Sequence, residues 1–236
     1  MLASEPTPAS VSRLVAAYWS FRGAAARHRV LPDGSIDFLF DLESGSGFVV
    51  GPMRSAQVLE LPASTSLFGV RFVPGAASAF VDVEASALLD LDAPLGELTR
   101  APEFHLAERV AEARSDAERA ALVTRVLCDT SFRLRPLDAR VQSAVARLAT
   151  PAHGVSTVAD QIGIGERQLE RLFRERVGLG PKRYARIARL QRTLSLAERE
   201  RSTHANLARR AGYSDESHFV REVRELAGVA PRELFP

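Results

Sequence analysis

VSTVADQIGIGERQLERLFRER, residues Val155 to Arg176, reads as a helix, a tight turn and a second helix. Val155, Val158, Ala159 and Ile162 recur at helical spacing and share one face of the first helix. Ser156 stands where an N-cap hydroxyl is expected to take an orphan backbone N–H. Ala159, one helical turn before Gly163, is small enough to let a second helix cross closely, and glycine tolerates the positive φ of such a turn. Ile164 points back to the core. Leu169, Leu172 and Phe173 line the buried side of the second helix, and Arg167, Gln168, Glu170, Arg171 and Arg174 occupy the other. That outer face carries groups able to bond base edges and phosphates, as a helix-turn-helix requires.

The same device recurs in NLARRAGYSDESHFVREVR, Asn206 to Arg224. Ala208 and Gly212 repeat the Ala159–Gly163 spacing, and Tyr213 replaces Ile164. Ser214 is the expected cap of a helix with Phe219 and Val223 inward and Glu216, Ser217, His218 and Arg221 outward. The glycines Gly163 and Gly212 lie 49 residues apart, a short internal repeat of one supersecondary unit. Between the units, Pro181 opens a long helix to about Glu198, with Tyr184, Ile187, Leu190, Leu194 and Ala197 on its buried side.

The chain has 236 residues, enough for one large domain or two modest ones, with ordinary hydrophobic (46%) and charged (25%) fractions. There is no apolar run long enough to span a bilayer and no basic-then-apolar start, so neither a transmembrane span nor a signal peptide is expected. Cys128 is the single cysteine. It excludes an internal disulfide and a cysteine-rich metal site, suits a reducing, cytoplasmic setting, and is expected to be a buried, inert thiol. The net charge of +2 conceals an asymmetry: 13 basic against 17 acidic residues in 1–137, and 18 against 12 in 138–236. The positive excess lies with the repeated motif, as docking on a polyphosphate requires; a solvated basic helical bundle is the alternative.

The first half reads differently. Met1 to Ser10 is expected to be a loose start, and Val11 to Phe21 a strand from about Leu14. Pro32-Asp33-Gly34 signals a turn, after which Ile36, Phe38 and Phe40 alternate with Asp37 and Asp41 in strand fashion. Phe48 to Val50, Val58 to Leu61 and Leu67 to Val73 are further strands. Short helical pieces follow at Ala76 to Phe80, Ser86 to Leu91 and Leu95 to Leu98. Glu103 to Ala113 and Asp116 to Phe132 read as a helical hairpin, with Asp116 as the second helix's cap. Arg133 to Pro136, polar and broken by proline, is the expected boundary. The fold expected is therefore α+β: a small β-sheet or barrel with a helical hairpin in residues 1–135, and an all-α double helix-turn-helix domain in 136–236. After the boundary, Leu137 to Ala149 opens the basic half as a helix, Arg199 to Thr203 is a polar connector, and Pro231 opens a last short helix.

The runs GERQLERLFRERVGLGPKRYARIARLQRTLSLA (Gly165 to Ala197) and GYSDESHFVREVRELAGVAPREL (Gly212 to Leu234) resemble the DNA-binding domain of the AraC/XylS transcription regulators, over roughly residues 138–235. The resemblance implies seven helices, two recognition helices in successive major-groove turns, and the long helix setting their separation. It places base-reading positions at Arg167, Glu170, Arg171, Glu216, Ser217, His218 and Arg221. Gly165 and Gly180 depart from the pattern's usual capping Ser, Asn206 from an acidic residue and Val223 from Phe. Less closely, LPDGSIDFLF (Leu31 to Phe40), VVGPM (Val49 to Met53) and FGVRFVPGAA (Phe68 to Ala77) resemble an uncharacterised sensor domain found ahead of such DNA-binding domains, with Ser35 where Cys is common. That implies regulation by a signal without naming it.

Arg167 and Arg171 share a helix face, and either can bond guanine O6 and N7 with two donors, worth about 1–3 kcal/mol of discrimination. Glu170 either accepts from cytosine N4 or orients a neighbouring Arg. His218 bonds a base edge or a phosphate, or is a satisfied surface histidine. Arg174, Arg176, Lys182, Arg183, Arg186 and Arg189 are the candidate phosphate contacts, which supply affinity but little sequence choice. Trp19, Arg29, Asp37 and Arg71 form a candidate effector pocket, with purely structural roles as the alternative. Double-stranded DNA is the expected partner; a small-molecule effector, RNA polymerase and a second copy of the chain are further candidates, and no membrane is expected. An enzyme is not. His28, His105, His153, His204 and His218 lack metal-ligand spacing, and neither a Gly-x-Ser-x-Gly elbow nor a P-loop occurs, so no catalytic residue, metal or cofactor is assigned. The rival readings are a ligand-independent architectural DNA-binding protein and a hydrolase or metal-binding first half fused to a DNA-binding module.

Overall fold

The computed structural model describes residues 2–23, 26–199 and 203–235. Among the described residues eight strands come first: β1 (Leu2–Glu5), β2 (Val15–Arg22), β3 (Ala26–Val30), β4 (Asp37–Asp41), β5 (Gly47–Val50), β6 (Gln57–Leu61), β7 (Ser66–Phe72) and β8 (Asp92–Pro94). Six of them form one antiparallel sheet in the order β1-β2-β7-β4-β5-β8, and β3 and β6 form a separate two-stranded ribbon. The expected small sheet is thus an open sheet rather than a barrel. The start expected to be loose is in fact an edge strand, pairing Ser4 with Trp19 and Glu5 with Tyr18. The β3 strand, with Arg27, His28 and Arg29 in succession, and the three-residue β8 carry too little apolar alternation to be read from sequence.

The period of two in IDFLFD decides which face of the sheet is buried. Phe38 stands opposite Val49 and Val70, and Tyr18 completes that row; Phe40 stands opposite Phe68 in the next. These side chains are fully buried, each worth roughly 2–3 kcal/mol in area removed from water. Aromatic contacts continue from Phe38 to Phe72 (4.6 Å), Phe72 to Phe80 (5.6 Å), Phe80 to Phe132 (5.6 Å) and Phe132 to Phe104 (5.2 Å). They join the sheet to the short α1 (Leu95–Leu98) and to the hairpin of α2 (Leu106–Glu112) and α3 (Asp116–Cys128). The cap of α3 is Ser115, not Asp116: the Glu118 N–H donates to Ser115 Oγ at 3.2 Å, while Asp116 is taken by Arg119. Cys128, expected to be buried, is exposed at the end of α3, because the buried stripe of Val123, Val126 and Leu127 turns away from it.

Seven helices follow among the described residues: α4 (Ala139–Leu148), α5 (Val155–Gln161), α6 (Glu166–Val177), α7 (Pro181–Arg199), α8 (His204–Ala211), α9 (Glu216–Ala227) and α10 (Pro231–Leu234). The connector read at Arg199 to Thr203 lies outside the described residues at 200–202. Two further cores result. Val141, Val145, Val158, Leu169, Phe173 and Tyr184 form one; Ile187, Leu190, Leu207, Phe219, Val223 and Leu226 form the other. The long α7 belongs to both, Tyr184 in the first and Ile187 and Leu190 in the second. None of the described helices is long and apolar enough to cross a membrane.

The halves touch at several points. The Ala56 N–H donates to Leu226 O at 2.7 Å and Arg29 Nη1 to Ala227 O at 2.9 Å, so the base of the β3–β6 ribbon holds the C-terminal end of α9. Gln191 Nε2 of α7 donates to Pro32 O at 2.7 Å.

Candidate nucleic-acid interface

The two helix-turn-helix units repeat down to single hydrogen bonds. In the first, the Ile164 N–H donates to Ala159 O at 3.0 Å; in the second, the Tyr213 N–H donates to Ala208 O at 2.9 Å. Gly163 and Gly212 both take positive φ, +73° and +88°, which a residue with a Cβ adopts only with strain. Ala159 and Ala208 are buried at the crossings. The caps differ from expectation. Gly154, not Ser156, precedes α5, and Asp215, not Ser214, caps α9 by accepting from the His218 N–H at 2.7 Å. That bond, followed by one from Ser214 Oγ, holds the Asp215 carboxyl below the usual carboxylate range.

On α6, Arg167 and Arg171 are exposed and Gln168 is half-buried beside them. Glu170 meets Arg174 Nε at 3.0 Å, one helical turn on. On α9, Glu216, Ser217 and Arg221 are exposed. His218 is more engaged: Nδ1 lies 3.0 Å from Ser214 Oγ, Nε2 lies 3.4 Å from Glu222, and the ring stands edge-on to Tyr213.

The basic residues expected to contact phosphate divide into two sets. Arg174 and Lys182 are exposed. Arg176 is only 18% exposed, pairs with Glu175 at 3.0 Å, and has Nε and Nη1 buried. Arg183 meets Glu225 at 2.7 Å. Arg186 holds Glu222 at 2.9 Å and Glu225 at 2.5 Å. Arg189 reaches Glu222 through Nε at 2.9 Å, donates to Gly212 O at 3.2 Å, and lies 5.0 Å above the Tyr213 ring. Glu222, which sequence reasoning passed over, is the centre of this network and only 4% exposed. Its spacing signal was present: Glu222 is four residues after His218, on the inward side with Val223. Arg192 was passed over too. It donates to Ala211 O at 2.7 Å and also to Ala149 O, so one guanidinium from α7 satisfies carbonyls at the C-terminal ends of α8 and α4.

Of the candidate effector residues, three come together and one does not. Asp37 and Arg71 stand opposite each other on β4 and β7, on the sheet face away from the phenylalanines. Arg71 donates to Asp37 through Nε at 3.2 Å and Nη2 at 3.0 Å and also meets Asp33 at 2.9 Å; Trp19 Nε1 donates to Asp37 at 3.2 Å. The indole lies across Gly69, where a Cβ would come within 2.0 Å of it. Burial pushes the Asp37 carboxyl up to about 6 against the opposing pull of Arg71. Arg29 is elsewhere, because it lies on the ribbon and bonds α9 instead. The four do not share a pocket. Among the described residues no group of three or more His, Cys, Asp or Glu is placed to hold a metal ion.

Comparison with known proteins agrees with this geometry. Residues 158–235 match the family described as "Helix-turn-helix domain", and residues 5–94 match "Domain of unknown function (DUF6597)". The HTH-type transcriptional activator RhaS of Escherichia coli O1:K1 / APEC is 32% identical over 77 residues, 33% of this chain and 28% of RhaS. The chain therefore matches under a third of the length of that relative. An AraC-type transcriptional regulator from Chromobacterium violaceum is 26% identical over 40% of this chain and 88% of its own, with a TM-score of 0.38. ToxT from Vibrio cholerae O395 is 15% identical over 92% of each chain, with a TM-score of 0.46. Residues 158–235 thus form a helix-turn-helix domain, and over that segment the chain is similar to AraC-type transcription regulators.

Proposed function

We propose that the protein is a sequence-specific DNA-binding transcription regulator that seats α6 and α9 in adjacent major-groove segments of one duplex. The observation that carries this reading is the pair of matched turns, each followed by a helix with an exposed polar face, tied to one rigid spacer. With 19 residues, α7 is about 28 Å long, of the order of one duplex turn of about 34 Å. Arg167, Gln168, Glu170 and Arg171 on α6, and Glu216, Ser217, His218 and Arg221 on α9, are the assigned base readers. Arg174 and Lys182 are the best-placed phosphate contacts, with Arg176 and Arg183 secondary. Arg186 and Arg189 are reassigned as struts between spacer and recognition helix, since Glu222 already holds both. Residues 136–236 form the DNA-binding part and residues 1–135 the part that senses a signal or pairs with a second copy.

Selection of bound sequences from random duplex, repeated at several salt concentrations, tests this. Two clusters of base preference about 10 base pairs apart are expected. Arg171→Ala should relax preference in one cluster, whereas Lys182→Ala should weaken all sequences alike and lower the salt slope by about 1. Equal loss on specific and random duplex for Arg171→Ala overturns the assignment, and the absence of any preference in the parent overturns the function.

A further inference from the structure

The first recognition helix faces the N-terminal half across a cleft of about 440 Å³. Glu84 and Ser86 form one wall; Arg167, Glu170, Arg171, Arg174 and Glu175 of α6 form the other. The turn bearing Glu84 is held in place. Its Ala85 carbonyl and Pro52 lie against Gly178, where an added Cβ would come within 2.6 Å of both. The segment is braced by the Asp90 N–H donating to Pro52 O at 3.0 Å and by Arg54 on Asp90 at 2.6 Å.

Glu170 and Arg174 pair within this cleft, which leaves Glu84, Arg167 and Arg171 as its charges without an ion pair among the described residues. Glu84 is exposed, and it accepts from Ser86 Oγ at 3.4 Å. Across from it, Arg167 and Arg171 have no carboxylate at ion-pair distance among the described residues. A duplex that seats α6 brings its phosphates, one per 3.4 Å along each strand, toward this wall. The second unit differs. The concavity on its reading face is lined by Glu216, Ser217, Val220, Arg221 and Arg224, all from α9 itself.

We propose that the 84–86 turn is a charge guard over the first recognition helix. Glu84 repels incoming phosphates and competes with them for Arg167 and Arg171. The first unit therefore engages a duplex against this charge, while the second unit is unguarded. The proposal rests on the DNA-binding reading above and adds the regulation of that same surface.

The test uses the full-length protein, a selected duplex, and the same duplex with the α6 segment scrambled. Glu84→Gln should bind the selected duplex about threefold more tightly at 0.1 M salt, as one charge at several ångströms in a high dielectric gives. The gain should fade above about 0.5 M salt and remain in part on the scrambled duplex, whose phosphates are the same. Glu60→Gln, on the exposed ribbon strand β6, should leave affinity unchanged. An unchanged affinity in Glu84→Gln, an equal gain in Glu60→Gln, or a gain that persists undiminished above about 0.5 M salt each overturns the guard. If the parent prefers sequence yet Glu84→Gln gains nothing, the guard alone falls; if the parent shows no preference, the DNA-binding reading falls and takes the guard with it.

Discussion

Removing the Glu222 carboxylate should unseat the second recognition helix. Glu222 is 4% exposed and accepts from Arg186 Nε at 2.9 Å and from Arg189 Nε and Nη2 at 2.9 and 3.2 Å, with His218 Nε2 3.4 Å away. Breaking a buried ion pair by deleting one partner costs about 3–5 kcal/mol, because the surviving charge is left in a poor solvent. Here the loss falls at the lower end. Arg186 keeps Glu225 and Arg189 keeps Gly212 O and the Tyr213 ring, and the two guanidinium side chains are 28% and 23% exposed, so water reaches them. A loss of about 3 kcal/mol is expected for Glu222→Ala, and about 1–2 kcal/mol for Glu222→Gln, which keeps an acceptor. Urea denaturation followed by far-ultraviolet circular dichroism reads the loss as a midpoint lowered by about 1–3 M. Glu225→Ala is the control: Glu225 is 46% exposed and its loss should stay below about 1 kcal/mol. Sequence selection with Glu222→Ala should blur the base cluster read by α9 and spare the one read by α6, whose core is separate. Replacing Arg186, Arg189 and Glu222 together by Met should recover most of the stability if the network acts only as a strut. A Glu222→Ala protein within about 0.5 kcal/mol of the parent, or a Glu225→Ala protein equally damaged, would refute the reasoning.

Two further outcomes follow from the contacts. Asp37 has its proton affinity raised by burial, to about 6, so between about pH 4 and 6 the folded chain holds a proton that the unfolded chain has released; its contribution is largest below the unfolded value and is lost as pH rises through the folded one. The parent should therefore lose stability relative to Asp37→Asn as pH rises across that window, read as urea midpoints at pH 4.5 and 7; a slope of opposite sign would mean that Arg71, rather than desolvation, governs the group. Gly178→Ala places a Cβ at φ +84° against Ala85 O and Pro52, and should cost at least about 1–2 kcal/mol while raising amide exchange at the seam between α6 and the 84–88 turn. A neutral Gly178→Ala would show that this seam is not close-packed.

The double helix-turn-helix was legible because its determinants are local. Apolar residues at helical spacing, a small residue at each crossing and glycine at each turn act within one turn of chain, and they recur 49 residues later. The sheet was legible as far as period-two alternation reaches, at Ile36, Phe38 and Phe40. It failed where strands form by pairing rather than by pattern, as in β1 and β3. The caps were misplaced by one or two residues, since Ser115, Gly154 and Asp215 are selected by backbone geometry that no residue type fixes alone.

What sequence could not supply was the partner of each charge. An exposed-looking arginine at helical spacing reads as a phosphate contact until a carboxylate from another helix is seen to hold it, as Glu222 holds Arg186 and Arg189. Arg29 read as a pocket residue until the ribbon carried it to the carbonyl end of α9. The two units, their order and the basic half that bears them could be read in advance, because they follow from spacing along one chain. The tertiary structure decided which cations are spent within the fold, which remain outward on α6 and α9, and that Glu84 stands opposite the first of them. Coulomb interactions depend on distances between chain-remote groups, and packing alone sets those distances.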